Sequence, residues 1–169
     1  MGKLTIVGMG PGAYNQMTLE AIACMKECQV IVGYTVYVDL IKEFFSEKEF
    51  ITTPMKKEVD RCKLALEKAN QGMDVVMICS GDAGVYGMAG LIYELSTAYQ
   101  DVSIKVVSGV TAALSGGAVL GAPLTHDFVV LSLSDLLTPW EKIEKRIHAA
   151  AAGDFSICIY KKKNKKRAD

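Results

Sequence analysis

Three glycine-containing loops carry the residues best suited to holding a small ligand. They read Gly8-Met9-Gly10-Pro11-Gly12, Ser80-Gly81-Asp82-Ala83-Gly84-Val85-Tyr86-Gly87 and Ser108-Gly109-Val110-Thr111-Ala112-Ala113. Each loop follows a short apolar run that is typical of a buried strand. Glycine lets a backbone turn tightly and approach a ligand, and open α/β sheets bind ligands beyond the carboxyl ends of their strands. Any one loop could be a plain strand-to-helix turn, but together they predict a ligand site at that edge of a sheet.

The first loop is suited to a ligand without phosphate groups. Pro11 lacks the backbone N–H that a pyrophosphate would need as a donor. A dinucleotide site also needs an acidic residue at the end of the second strand, where the sequence has Gly33 and Tyr34. The chain contains no G-K-[ST] triplet, so the loop is not a Walker loop either.

Asp82 and His126 are the candidate acid–base side chains. Asp82 lies between glycines at a strand end, where a carboxylate can accept hydrogen bonds from a ligand or cap the next helix. His126 follows Pro123-Leu124-Thr125 and is a candidate for contacting substrate or shuttling a proton, with an ordinary linker histidine as the alternative. No Ser-His-Asp or Cys-His set that would form a covalent nucleophile stands out.

Charge is distributed unevenly along a chain of zero net charge. Residues 161–169 hold six of the 19 basic residues and one of the 19 acidic residues. The rest therefore carries 13 basic and 18 acidic residues, a net charge of −5, which argues against nucleic acid as a partner. The basic run is interpreted as a solvated tail. Lys56, Lys57 and Arg61 are candidates for binding anionic substrate groups by charge alone, and a solvated helix start explains them equally well.

The cysteines and the apolar segments indicate a cytoplasmic protein. None of the five cysteines forms a C-x-x-C pair, and MGKLTIVGMG is read as a first strand rather than a signal peptide. Cys24 and Cys28 have helical i, i+4 spacing, but free cysteine is usually a small buried hydrophobe, so no metal site is predicted. No apolar run approaches the roughly 18 residues that cross a membrane.

Strands and helices are predicted to alternate, so we expect an α/β fold with a mostly parallel sheet. The predicted strands are 4–7, 29–32, 74–79, 102–107, 127–133 and 155–160, and the predicted helices are 19–28, 36–45, 57–71, 88–99, 111–120 and 139–152. Thr18 is a plausible N-cap and Gly72 a plausible C-cap. The pattern pauses near Gly121-Ala122-Pro123. We therefore predict an N-terminal domain at 1–122 and the start of a second α/β domain at 123–169.

The motifs GMGPG (8–12), GDAGVYG (81–87) and SGVTAA (108–113), with the boundary Gly121 to Asp127, resemble the tetrapyrrole (corrin/porphyrin) methylase family. The stretch from Val32 to Tyr37 and the run LSLSDLLTPWEKIEKR (131–146) are similar to the precorrin-3B C(17)-methyltransferases within that family. The resemblance covers essentially the whole chain. It implies two α/β domains that hold S-adenosylmethionine (SAM) in a cleft, usually in a homodimer, and a precorrin-type tetrapyrrole substrate that is methylated at C(17) with ring contraction.

The resemblance also implies which residues hold the cofactor, largely through backbone groups. Carried over by motif, the positions are Gly10, Pro11, Gly12, Ser80, Gly81, Asp82, Val85, Thr111 and Ala112. The family's Tyr-Asn-Pro-x-Ser-Lys-x-Arg segment stands here as Tyr160 to Arg167, with Lys161 in place of asparagine. A lysine there would repel a sulfonium cation and lacks the amide's acceptor oxygen. We therefore expect a C-terminally truncated member, with an inactive remnant or a methylase acting at another ring position as alternatives.

Overall fold

The computed structural model describes residues 1–160. The chain forms two compact units, of which the first is Met1–Ala112 and the second begins at Ala113. The boundary predicted after residue 122 stays a prediction. The predicted basic tail at 161–169, including Lys161, lies outside the described residues.

The first unit is built on a five-stranded sheet in which every pairing is parallel. Its strands are β1 (Gly2–Gly8), β2 (Val30–Tyr34), β3 (Glu49–Thr53), β4 (Asp74–Cys79) and β5 (Val102–Val107). They lie in the order β3-β2-β4-β1-β5. Gly8 pairs with Cys79, and Val7 with Val107, so β1, β4 and β5 end at the same level. The predicted α/β fold with a mostly parallel sheet is confirmed.

Helices cover both faces of this sheet. They are α1 (Leu19–Glu27), α2 (Thr35–Ile41), α3 (Glu58–Asn70) and α4 (Ala89–Ser96). Alternate residues of β4 pack on opposite faces of the sheet. Val75, Met77 and Cys79 belong to the core cluster shared with α3 and α4. Val76 and Ile78 belong to the cluster shared with α1 and α2. A strand that is buried on both faces must be apolar throughout, which explains the continuous run DVVMIC.

Two helix ends form as the sequence predicts. The Thr18 side chain accepts a hydrogen bond from the Ala21 N–H at 3.1 Å and so caps α1. Gly72 follows α3 with a positive φ of 89°, and its N–H donates to the Ala69 carbonyl at 2.9 Å. Local chemistry is sufficient to define both ends.

Two features differ from the predictions. The strand β3 was not predicted, because a five-residue run that ends just before Pro54 gives little periodic signal. The helix α2 covers Thr35–Ile41 instead of the predicted 36–45, and it buries Val38 and Ile41, whereas Val36 and Leu40 are each half exposed. The chain enters α2 directly from β2, and Val38 and Ile41 pack in the core cluster that contains Ile31 and Ile78.

The second unit contains all but the first residue of α5 (Ala112–Val119), followed by β6 (Phe128–Ser132), α6 (Trp140–Ala152) and β7 (Ser156–Tyr160). The strands β6 and β7 pair in parallel. The helix α6 between them buries Ile143 and Ala150. This is the single β-α-β unit that the sequence predicts. Within residues 1–160, no helix is long and apolar enough to cross a membrane.

Candidate functional site

The loops after β1 and β4 are joined backbone to backbone. The Gly10 N–H donates to the Gly81 carbonyl at 3.0 Å, and the Gly81 N–H donates back to the Gly10 carbonyl at 2.8 Å. Both glycines have a φ of 63°, a left-handed backbone conformation that residues with a Cβ rarely adopt. The sequence-predicted residues Gly10 and Gly81 are therefore neighbours. Pro11 is exposed and Gly12 is buried beside them.

The carboxylate of Asp82 ties the second loop to the third. Its Oδ1 accepts from the N–H groups of Gly84 at 2.8 Å and Val85 at 3.1 Å. Its Oδ2 accepts from the N–H of Gly109 at 2.9 Å. Three backbone donors thus converge on one half-buried side chain. Asp82 therefore bridges two loops and does not cap the next helix, which was one of its two interpretations from the sequence. A role of Asp82 in catalysis stays a prediction.

Two glycines, Gly8 and Gly109, allow these loops to approach without side chains between them. A Cβ placed on Gly109 would lie 2.1 Å from the Gly81 carbonyl oxygen and 2.4 Å from that of Gly8. A Cβ on Gly8 would lie 2.6 Å from the Gly81 oxygen. These separations are far below contact distance, so the three loops can meet only as bare backbone. The arrangement concentrates backbone amides and carbonyls at the carboxyl edge of the sheet.

The third loop brings Thr111 and Ala112 to the same place. A Cβ on Gly81 would lie 3.5 Å from the Thr111 Cα and 3.7 Å from the Ala112 nitrogen. Ala112 is the first residue of α5. The structure therefore gathers Gly10, Gly81, Asp82 and Thr111 as the sequence predicts for a ligand site.

Ser80 contacts a residue that sequence reasoning did not single out as functional. Its hydroxyl donates to the phenolic oxygen of Tyr37 at 3.0 Å. The Tyr37 ring meets the ring of Tyr34 edge-on, with centroids 5.2 Å apart at 87°. Tyr37 lies in the VGYTVY stretch (32–37), which resembles the precorrin-3B C(17)-methyltransferases, but its partner Ser80 lies 43 positions further along the chain.

An open groove of about 580 Å³ runs beside the first loop. It is lined by Pro11, Gly12, Ala13, Tyr14, Asn15, Leu40 and Phe44. The rings of Tyr14 and Phe44 lie 4.9 Å apart, and half of the Phe44 side chain is exposed. Ligand sites are commonly lined mainly by apolar groups, as this groove is, but the groove is open to solvent.

Arg61 is a structural residue rather than a surface charge. It is only 5% exposed, its Nε donates to the Thr53 hydroxyl at 2.8 Å, and an Nη2 donates to the Pro54 carbonyl at 3.3 Å. Its guanidinium also lies 5.8 Å from the centroid of the Tyr34 ring. Lys57, in contrast, forms an exposed pair with Asp60. The reading of Arg61 as part of a solvated helix start is therefore wrong.

His126 lies in the second unit, between α5 and β6, and it is exposed. Its ring makes no hydrogen bond within residues 1–160, and its proposed role in proton transfer stays a prediction. In the same unit the Tyr160 phenolic oxygen accepts from the Ala113 N–H at 2.8 Å. That bond satisfies one of the free amides of the first turn of α5 and was not foreseen.

The cysteines are free thiols, and the buried ones resist ionisation. Burial raises the pKa of Cys28 and of Cys79 to about 11, and that of Cys62 to about 12. Such thiols are poor nucleophiles and poor metal ligands at neutral pH. Across the described part of the chain, no three His, Cys, Asp or Glu residues come together as a metal site would require.

The sequence of the chain matches known proteins over nearly its whole length. Residues 3–168 match the tetrapyrrole (corrin/porphyrin) methylases. A Salmonella typhimurium protein named "Probable cobalt-factor III C(17)-methyltransferase" is 47% identical over 97% of this chain and 68% of its own length. The "Cobalt-factor III methyltransferase" of Priestia megaterium is 44% identical over 98% of this chain, which spans only 32% of that protein.

A solved structure shows the same fold. The crystal structure of the methyltransferase CobJ is 39% identical and superposes with a TM-score of 0.91. The alignment covers 99% of this chain and 71% of that one. The three joined loops at the sheet edge thus occur in a chain whose sequence and fold agree on one family. The chain belongs to the tetrapyrrole (corrin/porphyrin) methylases.

Proposed function

We propose that this chain is a SAM-dependent methyltransferase of cobalamin biosynthesis that methylates C(17) of cobalt-factor III or precorrin-3B, with contraction of the ring. The observation that carries the proposal is the joining of the three loops through Gly10, Gly81, Asp82 and Gly109. The names of the Salmonella and Priestia relatives support cobalt-factor III, the cobalt-containing form, as the substrate.

The residues of the site fit SAM by their chemistry. SAM has no phosphate, and Pro11 leaves the first loop without the amide that a phosphate would favour. Its adenine, ribose and amino-acid groups need separate donors and acceptors, which the backbones of the three loops offer. When bound, SAM supplies an activated methyl group. Gly10, Pro11, Gly12, Ser80, Gly81, Asp82, Val85, Thr111 and Ala112 are the residues that we propose to hold it.

The work of this chain is alignment and exclusion of water. Methyl transfer needs a donor and an acceptor carbon held in line in a dry site, so a covalent nucleophile is not required. Asp82 keeps the second and third loops at a fixed separation through its three backbone partners. Tyr14, Leu40 and Phe44 give the groove beside Pro11 an apolar wall.

Ring contraction needs proton transfers, for which His126 is the proposed group. The test is the variant His126→Ala, with His148→Ala on the exposed face of α6 as the matched control. We expect the first to lower the yield of contracted product while methyl transfer persists. Equal yields from the two variants would exclude His126 as the proton shuttle.

The deciding experiment incubates the 169-residue chain with cobalt-factor III and SAM carrying a ¹³C-labelled methyl group. We expect one labelled methyl group on the product, assigned to C(17) by NMR, and inhibition by S-adenosylhomocysteine. Label at another ring position would make the chain a related methylase of different regiochemistry. Calorimetric binding of S-adenosylhomocysteine without turnover would mark it as a SAM-binding remnant, and absence of binding would contradict the cofactor itself.

The proposal extends to assembly and setting. A homodimer is part of what the family resemblance implies, and light scattering of the purified chain tests it directly. A reducing, cytoplasmic setting agrees with five cysteines that form no disulfide. The domain boundary proposed after residue 122 is tested by limited proteolysis, with cleavage expected at residues 120–127.

A further inference from the structure

Four side chains from separate elements form a continuous array that ends at the cofactor loops. In order they are Arg61 on α3, Tyr34 at the end of β2, Tyr37 on α2 and Ser80 directly after β4. The contacts between them are a cation–π contact of 5.8 Å, an edge-on ring contact of 5.2 Å and a hydrogen bond of 3.0 Å. The array runs from a buried guanidinium to an exposed hydroxyl.

The buried end of the array is firmly held. Arg61 is fixed by the Thr53 hydroxyl and the Pro54 carbonyl, so its guanidinium plane cannot swing. Tyr34 is packed against that cation, and its ring in turn limits rotation of the Tyr37 ring. The phenol of Tyr37 therefore occupies a defined position before any ligand binds, which lowers the entropy cost of using it as a contact.

The hydroxyl end of the array has hydrogen-bonding capacity left over. Tyr37 Oη accepts from the Ser80 hydroxyl, and a phenol that accepts one bond still has its own O–H to donate. Within residues 1–160 no other group bonds to this oxygen. The contact with Tyr34 and packing against the core explain the position of the ring, and phenylalanine would serve equally well for both. The hydroxyl is the part that packing leaves unexplained.

The position of this donor indicates its partner. Ser80 immediately precedes Gly81, which is bonded to Gly10 at the centre of the proposed cofactor site. Tyr37 is half buried at the same carboxyl edge. A neutral donor at that edge is well suited to a carboxylate or carbonyl oxygen, and precorrin-type tetrapyrroles carry many carboxylates.

We propose that the Tyr37 hydroxyl, oriented by Ser80 and by the Arg61–Tyr34 stack, donates a hydrogen bond to an oxygen of the tetrapyrrole substrate and helps to set its orientation. This inference rests on the proposed function, because it takes the substrate class from it. It assigns Tyr37 to substrate binding, not to the holding of SAM.

The test compares Tyr37→Phe with the unaltered chain by absorbance titration with cobalt-factor III, in the presence of S-adenosylhomocysteine. Loss of one hydrogen bond to a charged oxygen is expected to weaken tetrapyrrole binding about tenfold. The calorimetric affinity for S-adenosylhomocysteine should stay within about twofold. Tyr93→Phe, a half-exposed tyrosine on α4, is the matched control and should alter neither affinity.

The possible outcomes separate this inference from the proposed function. Equal tetrapyrrole affinity of Tyr37→Phe and the unaltered chain would overturn the role of Tyr37 while leaving methyl transfer untouched. A selective loss of S-adenosylhomocysteine affinity would also overturn it, because Tyr37 would then serve the cofactor. An unaltered chain that binds cobalt-factor III without methylating it would contradict the proposed function alone. Failure of that chain to bind any tetrapyrrole would overturn both.

Discussion

The Asp82 side chain and the Gly109 N–H, 27 positions apart in sequence, are joined by a 2.9 Å hydrogen bond that couples the loop after β4 to the loop after β5. The other carboxylate oxygen of Asp82 is bonded to Gly84 and Val85 within its own loop. One residue therefore sets both the shape of the second loop and its separation from the third. This dual role explains why an acidic residue stands between glycines here.

Asp82→Asn should lower the free energy of unfolding by about 1–3 kcal/mol and weaken binding of S-adenosylhomocysteine. The amide has one acceptor oxygen, so if it serves Gly84 and Val85 its NH₂ group faces the Gly109 N–H, donor against donor. Urea denaturation and calorimetry measure the two effects. Asp39→Asn, in an exposed pair with Lys42, is the control and should change stability by less than about 0.5 kcal/mol. If the two variants had equal stability and equal affinity for S-adenosylhomocysteine, the bridging role of Asp82 would be contradicted.

Gly109→Ala should be among the most damaging single substitutions in the first unit. The new Cβ would lie 2.1 Å from the Gly81 carbonyl oxygen, and backbone on both sides has no room to yield. We expect a loss of at least about 3 kcal/mol in urea denaturation, or failure to fold. Gly90→Ala in α4 meets nothing within 4 Å and should instead stabilise by about 0.5–1 kcal/mol. A Gly109→Ala variant as stable as the Gly90→Ala variant would contradict the close approach of the loops.

The sequence alone predicts the structural features that depend on neighbouring residues. The run DVVMIC at 74–79, the Thr18 cap and Gly72 at the end of α3 each follow from neighbouring residues, and each forms as predicted. The three loops were also recognisable, because their glycines stand at strand ends. That they meet in one place follows from the parallel sheet.

Long-range pairing could not be derived in the same way. The strand β3 pairs with β2, and its five residues contain no pattern that predicts this pairing. The Tyr37–Ser80 bond spans 43 positions, and the burial of Arg61 depends on Thr53 and Pro54 of another element. The sequence therefore predicted an exposed charge at Arg61, whereas the fold buries it.

Arg61→Gln should destabilise the first unit by about 2 kcal/mol or more. The change leaves the Thr53 hydroxyl without its 2.8 Å donor and removes the cation from the Tyr34 ring. Lys57→Gln, at an exposed pair with Asp60, is the matched control and should shift stability by less than about 0.5 kcal/mol. Thermal and urea denaturation compare the two. If Arg61→Gln kept full stability but lost affinity for cobalt-factor III, Arg61 would be a substrate contact instead.

The buried thiols of Cys28, Cys62 and Cys79 should be protected from alkylation in the folded chain. Burial raises the pKa of Cys28 from its ordinary value of 9.0 to about 11, which lowers its thiolate fraction near pH 8 about a hundredfold. The folded state therefore holds these protons more tightly than the unfolded state. The stability that the neutral thiols contribute is complete below pH 9 and is lost as the pH rises towards 11.

Iodoacetamide labelling at pH 8, read by mass spectrometry, should modify the three residues at least about a hundredfold more slowly in buffer than in urea. The half-buried Cys24 and Cys158 serve as internal references and should be labelled first. Labelling of Cys28, Cys62 and Cys79 at the rate of Cys24 in the native chain would contradict their burial.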